Sequence, residues 1–298
     1  MNTKVNLSCV FFLYLLLVRG QEEPFLFLFP DQILWINPAH LSAEKPKLRL
    51  QINSQWLGTK DAPKEQFISF HTRAKNQNLF LGGGVRNQTE FAESKTELRV
   101  QFAYNLTLSE KSNLTLGLHS GGYLYNLSFA YLQSVEGIDQ DPLLLQEGVF
   151  YPKIGVGFHI KKSNFEIEMA FPQLITHQNS KVKSRFYFES KFLFFTSLAH
   201  TFKRLNSNQS LKWTAQFHNF NYKNRTLELL AIYNFSQLAL FFKWNTISYG
   251  AMGFTLYEKK MLTVGYGFHF PLKSIPEIKR NHHSLILNFR LQTKSNQP

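Results

Sequence analysis

The sequence predicts a closed antiparallel β-barrel that crosses a membrane with about fourteen strands. Three observations carry that class. Apolar and polar residues alternate with a period of two, which is the signature of an extended strand because successive side chains point to opposite faces. The pattern is clearest over Met261 to Phe270, where Leu262, Val264, Tyr266, Phe268 and Phe270 share one face and Met261, Thr263, Gly265, Gly267 and His269 the other. The runs are about ten residues long, the length a tilted strand needs to cross a bilayer core. In the well-registered runs the apolar face carries no charge, while the opposite face carries Arg49, Arg99, Glu166, Glu168, Lys212, Glu228, Lys243 and Arg290. A basic residue at the lipid midplane costs roughly 2–4 kcal/mol, so lipid enforces this segregation. A soluble β-sandwich is the rival. The strand length, the 30 phenylalanines and the aromatic residues near strand ends favour the barrel.

The chain has 298 residues, enough for one large barrel. Lys4, the apolar run Leu7 to Val18 and the small Gly20 read as a secretory signal, with cleavage expected after residue 20. Losing residues 1–20 removes Lys4 and Arg19 and no acid, so the formal charge falls from +13 to +11. The basic residues are scattered rather than striped along a helix. That excludes a nucleic-acid groove and points to anionic lipid headgroups or an acidic protein partner. Cys9 is the one cysteine and lies in the signal, so the mature chain has no disulfide.

Residues 21–46 form a lead-in. Pro24, Pro30, Pro38 and Pro46 exclude a long helix or a central strand. Phe25, Phe27, Phe29, Ile33, Leu34 and Trp35 make it too apolar for a free tail. It is expected to fold into the periplasmic mouth of the barrel or to be handed to a periplasmic partner.

The barrel is expected over residues 47–291, with 292–298 as a short tail. Leu48, Leu50 and Ile52 face one way and Lys47, Arg49, Gln51 and Asn53 the other; a turn follows at Gly58 to Pro63. Ile68 and Phe70 mark a weaker second strand, and Leu79, Leu81 and Val85 a third, with Gly82 to Gly84 suggesting a close backbone approach. Leu98 to Leu106 and Leu114 to Leu118 alternate cleanly. A long connection then runs to about Pro152, with an extension of the strand near Tyr123 to Tyr131. Ile154 to Ile160 and Phe165 to Phe171 form a tight hairpin. The register of 64–86 and of 184–203 is ambiguous. Five further strands follow, at Leu211–Phe217, Leu227–Phe235, Leu238–Trp244, Met252–Leu256 and Leu262–Phe270, before the last at Leu285–Leu291.

Catalytic and metal motifs are not found: no His-Glu-x-x-His, no Cys/His metal spacing, no phosphate-binding glycine loop and no Gly-x-Ser-x-Gly elbow. No cofactor and no enzymatic activity are expected. His282 and His283 are adjacent and face opposite sides of a strand. Asp139 and Asp141 read as solvated loop carboxylates. Glu166 and Glu168 share a face, and a lumenal charge cluster beside a basic neighbour explains them better than acid–base catalysis. The seven mature Asn-x-Ser/Thr triplets, starting at Asn87, Asn105, Asn113, Asn126, Asn208, Asn224 and Asn234, are put down to composition.

Four segments resemble the PorP/SprF membrane proteins of the type IX secretion system of Bacteroidetes. Asn37-Pro38-Ala39 is similar to that family's Asn-Pro-Ala segment. Gln55-Trp56-Leu57-Gly58, with Asp61-Ala62-Pro63, resembles its Gln-Trp-x-Gly and Gly-Ala-Pro turn. Pro152, Gly155 and Gly157 resemble its mid-chain Pro-x-x-Gly-x-Gly strand. His283 to Phe289 resembles its closing strand. The chain departs in having Leu41-Ser42 where a glycine is usual, Asp61 for glycine, and Ser284 for the glutamate of the closing motif. These motifs are structural, so the departures bear on subgroup and not on the barrel.

The resemblance implies an outer-membrane protein that assists secretion or surface attachment of large adhesins, gliding adhesins included. It also implies contact with the periplasmic ring of the same machine, with a secreted adhesin and with outer-membrane lipid, and no nucleic acid. A passive channel or hydrophobic-solute transporter, and a soluble exported β-sheet binding protein, stand as alternatives.

Overall fold

Fourteen strands, each hydrogen-bonded to its sequence neighbours, close into a barrel when the last pairs with the first. The computed structural model describes residues 29–41, 46–74, 78–91, 93–127, 149–174, 194–204, 208–219, 225–245, 249–258, 261–271 and 282–291. The strands are β1 (Lys47–Gln55), β2 (Lys64–Arg73), β3 (Leu79–Glu90), β4 (Glu93–Ser109), β5 (Ser112–Leu127), β6 (Val149–Lys162) and β7 (Phe165–Phe171). They continue as β8 (Phe194–Lys203), β9 (Gln209–Asn219), β10 (Arg225–Phe235), β11 (Leu238–Asn245), β12 (Tyr249–Glu258), β13 (Leu262–Pro271) and β14 (His282–Arg290). Every pairing is antiparallel, and Lys47 opposite Arg290 through Gln55 opposite His282 makes the closing seam. Closure leaves no unpaired sheet edge, which is the condition for a β-structure to sit in lipid.

The alternation falls as the sequence predicts. On β4, Leu98, Val100, Phe102, Tyr104 and Leu106 are exposed outward, while Glu97, Arg99, Gln101 and Ala103 are buried inside. Of the eight charges assigned to the polar face, Arg49, Arg99, Glu166, Glu168, Glu228 and Lys243 are buried in the lumen. Lys212 is half-buried and Arg290 is exposed at the end of its strand. Phe102→Arg, which puts a charge on the outer face 43 % exposed in the wild type, is expected to lower barrel stability by roughly 2–4 kcal/mol in liposome refolding. Phe102→Leu should be nearly silent, and equal damage from both would contradict a lipid-facing surface.

One element bears out the expected extension and one differs from expectation. β5 runs unbroken to Leu127, through the first half of the extension expected near Tyr123 to Tyr131, and residues 128–131 lie outside the described residues. β6 starts at Val149, and Pro152, expected to precede the strand, lies inside it opposite Gly122. Proline is tolerated there because the ladder with β7 begins only at Val156, so that side of Pro152 meets no neighbouring strand in the register. β4 has 17 residues and at about 3.3 Å each, tilted by about 45°, it spans roughly 40 Å, beyond the hydrocarbon core.

The two ends of the barrel are unlike. Lys47 and Arg290 share one end with the tight turns between β4 and β5, β6 and β7, and β10 and β11. The other end carries the long connections 128–148, 172–193 and 272–281. The proposed signal, residues 1–20, and the tail, 292–298, lie outside the described residues, as do Asp139 and Asp141.

Candidate functional site

Residues 29–41 of the lead-in lie inside the barrel. Residues Pro30–Trp35 and Pro38–His40 form two short 3-10 turns, as far as the prolines allow. Asn37 caps the second turn, its Oδ1 accepting from Ala39 N at 3.0 Å, with Pro38 preset at the first helical position. Phe29, Ile33, Trp35, Ile36, Ala39 and Leu41 are all buried.

Three apolar contacts seat the segment against three parts of the wall. Phe29 packs with Leu230, Ile232, Phe241 and Ile286, its ring 5.3 Å from that of Phe241. Ile33 and Ile36 pack on Ala170 and Phe195. Leu41 packs on Phe80 and Ala103. Leu41 sits by Phe80, near the chain-terminal end of β3, Trp35 reaches Arg99 toward the middle of β4, and Phe29 packs by Leu230 and Ile286, midway along β10 and β14. The segment is therefore a strap laid across the interior of the barrel. Burying a large apolar side chain contributes about 1.5–3 kcal/mol, so several together hold the strap firmly.

Polar contacts fix its register. Arg99 donates to the Trp35 carbonyl and pairs with Glu97, its guanidinium 4.9 Å from the centre of the Trp35 ring. Gln101 Nε2 donates to the Leu34 carbonyl at 2.7 Å. Asn37 Nδ2 donates to Glu168 Oε2 at 2.9 Å and to the Phe158 carbonyl at 3.2 Å. His40 Nδ1 lies 3.0 Å from Glu168 Oε1, and the His40 and His159 rings stack at 5.7 Å. A cavity of about 10 Å3 between Leu34, Trp35, Arg99 and Gln101 leaves room for about one water.

Charged networks line the wall around the strap. Glu97 meets Arg99, Lys153 at 3.1 Å and Arg86 at 3.9 Å, and Arg86 also pairs with Glu65. Glu228 pairs with Lys243 at 2.5 Å and accepts from Asn245 Nδ2 at 2.9 Å. Glu166, flagged with Glu168 as a lumenal acid, pairs with Lys212 at 2.6 Å and Lys161 at 3.5 Å. Charges out of water demand such partners.

Two of the family-like motifs meet here. A Cβ built on Gly157 would stand 1.9 Å from Asn37 Oδ1, and one on Gly117 would stand 2.2 Å from Ala39 N. The Asn-Pro-Ala turn thus lies directly on bare backbone of β5 and β6. Gly155 lies beside the His119 ring, and Pro152 sits farther along the same strand. The other two motifs are elsewhere. Gln55 N donates to the Pro63 carbonyl, Gly58 takes φ 91°, and the Asp61 carbonyl accepts from Phe91 N, so Gln55, Trp56, Gly58 and Pro63 shape the β1–β2 turn. His283 and Phe289 lie on β14, opposite Ser54 and Leu48 of β1, and so belong to the closing seam.

Sequence reasoning passed over Glu97, Lys153, His119 and His159. The signal was present: Lys153, Gly155, Gly157 and His159 occupy one parity of β6, opposite Ile154, Val156, Phe158 and Ile160. Asn37→Ala removes two donated bonds and a cap, worth about 2–3 kcal/mol together. Hydrogen exchange of residues 33–39 is expected to speed by roughly 30- to 160-fold, with the barrel strands unchanged. Unchanged protection would show that Asn37 does not hold the strap.

Among curated proteins none matches the sequence. Solved structures share the fold. The Acinetobacter baumannii outer membrane protein Omp33 aligns with a TM-score of 0.53 at 7 % identity, covering 84 % of this chain and 100 % of its own. The CymD monoaromatic hydrocarbon channel aligns at 0.54 and 13 % identity, covering 90 % and 94 %. A deletion mutant of the TodX monoaromatic hydrocarbon channel aligns at 0.54 and 9 % identity, covering 86 % and 92 %. These likenesses establish an outer-membrane-type barrel. The family profile described as type IX secretion system membrane protein PorP/SprF matches residues 18–289, a span that holds the strap and nearly the whole barrel, and the chain belongs to that family.

Proposed function

We propose that this outer-membrane barrel is an accessory component of type IX secretion that assists the export or surface attachment of large adhesins, gliding-type adhesins among them. It acts by binding and carries out no chemistry. Its partners are the periplasmic ring of the machine and an exported adhesin. The observation that supports this over a passive channel is the strap: residues 29–41 lie inside the lumen on apolar, hydrogen-bonded and glycine contacts at once. A permanently open solute pore would not carry so firmly seated an obstruction. A docking barrel gains a rigid interior and a terminal mouth of fixed shape.

The reading places the chain-terminal end in the periplasm, because bacterial barrels keep short turns there and longer loops outside. Affinity capture of the detergent-extracted protein, followed by mass spectrometry, is expected to recover ring components and one exported adhesin. Cells lacking the chain are expected to lose that adhesin from their surface. An unchanged set of exported proteins, with loss of uptake of a small solute instead, would favour the channel and overturn the proposal.

A further inference from the structure

We propose that His40, His159 and Glu168 form a zinc-class divalent-cation site that staples the strap to the barrel wall. One ligand atom from each lies within 4.8 Å of the other two. His159 on β6 and Glu168 on β7 are direct cross-strand partners, so two of the ligands come from a rigid wall. His40 ends the second turn of the strap and supplies the third. Nitrogen and oxygen atoms bound at 2.0–2.2 Å to one tetrahedral ion lie roughly 3.3–3.6 Å apart, so side-chain rotation alone can close the set.

Charge gives the independent argument. Glu65 has Arg86, Glu97 has Arg99 and Lys153, Glu166 has Lys212, and Glu228 has Lys243. Glu168 is 4 % exposed, yet among the described residues it has no lysine or arginine partner. Its neighbours are Asn37 and an imidazole, and a second imidazole stacks on the first. A divalent cation supplies the positive charge that every comparable lumenal carboxylate has. The donor set selects the metal: two imidazoles and a carboxylate suit zinc and its neighbours, whereas calcium and magnesium take oxygen ligands. The surroundings suit a metal too. Asn37 Nδ2 holds Glu168 Oε2, leaving Oε1 toward His40, and Glu166 Oε2 lies 3.7 Å from His159 Nε2. The His40 side chain is 20 % exposed and that of His159 11 %, so an ion can enter from the lumen.

The assignment does not rest on the secretion reading. The test is calorimetric titration of the metal-stripped, folded barrel in detergent with Zn2+, Co2+ and Ca2+. One equivalent of Zn2+ per barrel is expected, with micromolar or tighter affinity, a matching Co2+ absorption spectrum and no uptake of Ca2+. His159→Ala and Glu168→Gln, checked as heat-modifiable barrels, should weaken binding at least tenfold, while His283→Ala on the outer face should not. His40→Cys should keep the stoichiometry and add a thiolate-to-cobalt absorption band, a gain that misfolding cannot mimic. No saturable uptake by the wild type would overturn the site. So would uptake indifferent to His159→Ala and Glu168→Gln, or a His40→Cys protein that binds cobalt without the new band.

Discussion

Gly117→Val is expected to expel the Asn37–Ala39 turn from the lumen while leaving the barrel closed. The new Cβ would stand 2.2 Å from Ala39 N, 2.4 Å from the Pro38 carbonyl carbon and 2.7 Å from Ala39 Cα. All three are backbone atoms, so no flexible side chain can swing aside. Overpacking costs about 1–3 kcal/mol where neighbours can move, and more where they cannot. The strand itself gains, because valine suits a pleated interior better than glycine. Gly117 pairs with Ala103 on one side and Gly157 on the other, and neither pairing needs a bare Cα. The conflict therefore falls on the strap. In a Cys9→Ser background, Ile36→Cys should be protected from a thiol reagent when Gly117 is present and labelled within minutes when valine replaces it. Equal protection in both would mean that the turn does not depend on this contact.

Lys243→Met is expected to be the most damaging single change to the barrel itself. Lys243 is 1 % exposed and its ammonium lies 2.5 Å from Glu228, whose side chain is 5 % exposed. Removing one member of a buried pair strands the other charge, and such losses run to about 3–5 kcal/mol. Asn245 still donates to Glu228 and His218 Nε2 lies 3.4 Å from it, but an amide carries no charge and a neutral imidazole does not replace the ammonium. Adding Glu228→Gln to Lys243→Met should recover most of the loss, because the two residues are coupled and the buried charge is gone. Urea unfolding in liposomes reads both. A single mutant as stable as wild type, or a double mutant no better than the single, would contradict a desolvated pair.

Most of the wall was legible in the sequence because lipid enforces alternation residue by residue. Phe102 must be apolar and Arg99 must point away from lipid, so parity alone separates them. The lead-in was legible in part: Phe29, Ile33 and Trp35 are too apolar for water, which predicts burial but not the surface that buries them. That surface is Phe241 for Phe29, Phe195 for Ile33 and Arg99 for Trp35, while the Asn37–Ala39 turn lies on Gly117 and Gly157, and a glycine in a strand tells only that something approaches, not what. Pro152 misled because proline reads as a boundary, whereas here the ladder is missing on one side of it. The meeting of His40 with His159 and Glu168 was not legible at all, since it is the folding of the strap into the lumen that brings His40 to a hairpin more than a hundred residues away.

Single-channel recording tests most directly whether the strap closes the barrel. Purified full-length protein in planar bilayers should show little steady conductance, and a variant lacking residues 29–41 should form heat-modifiable barrels with stable, large openings. The same large openings in both proteins would show that the lumen conducts past the strap, and would contradict a barrel closed by residues 29–41.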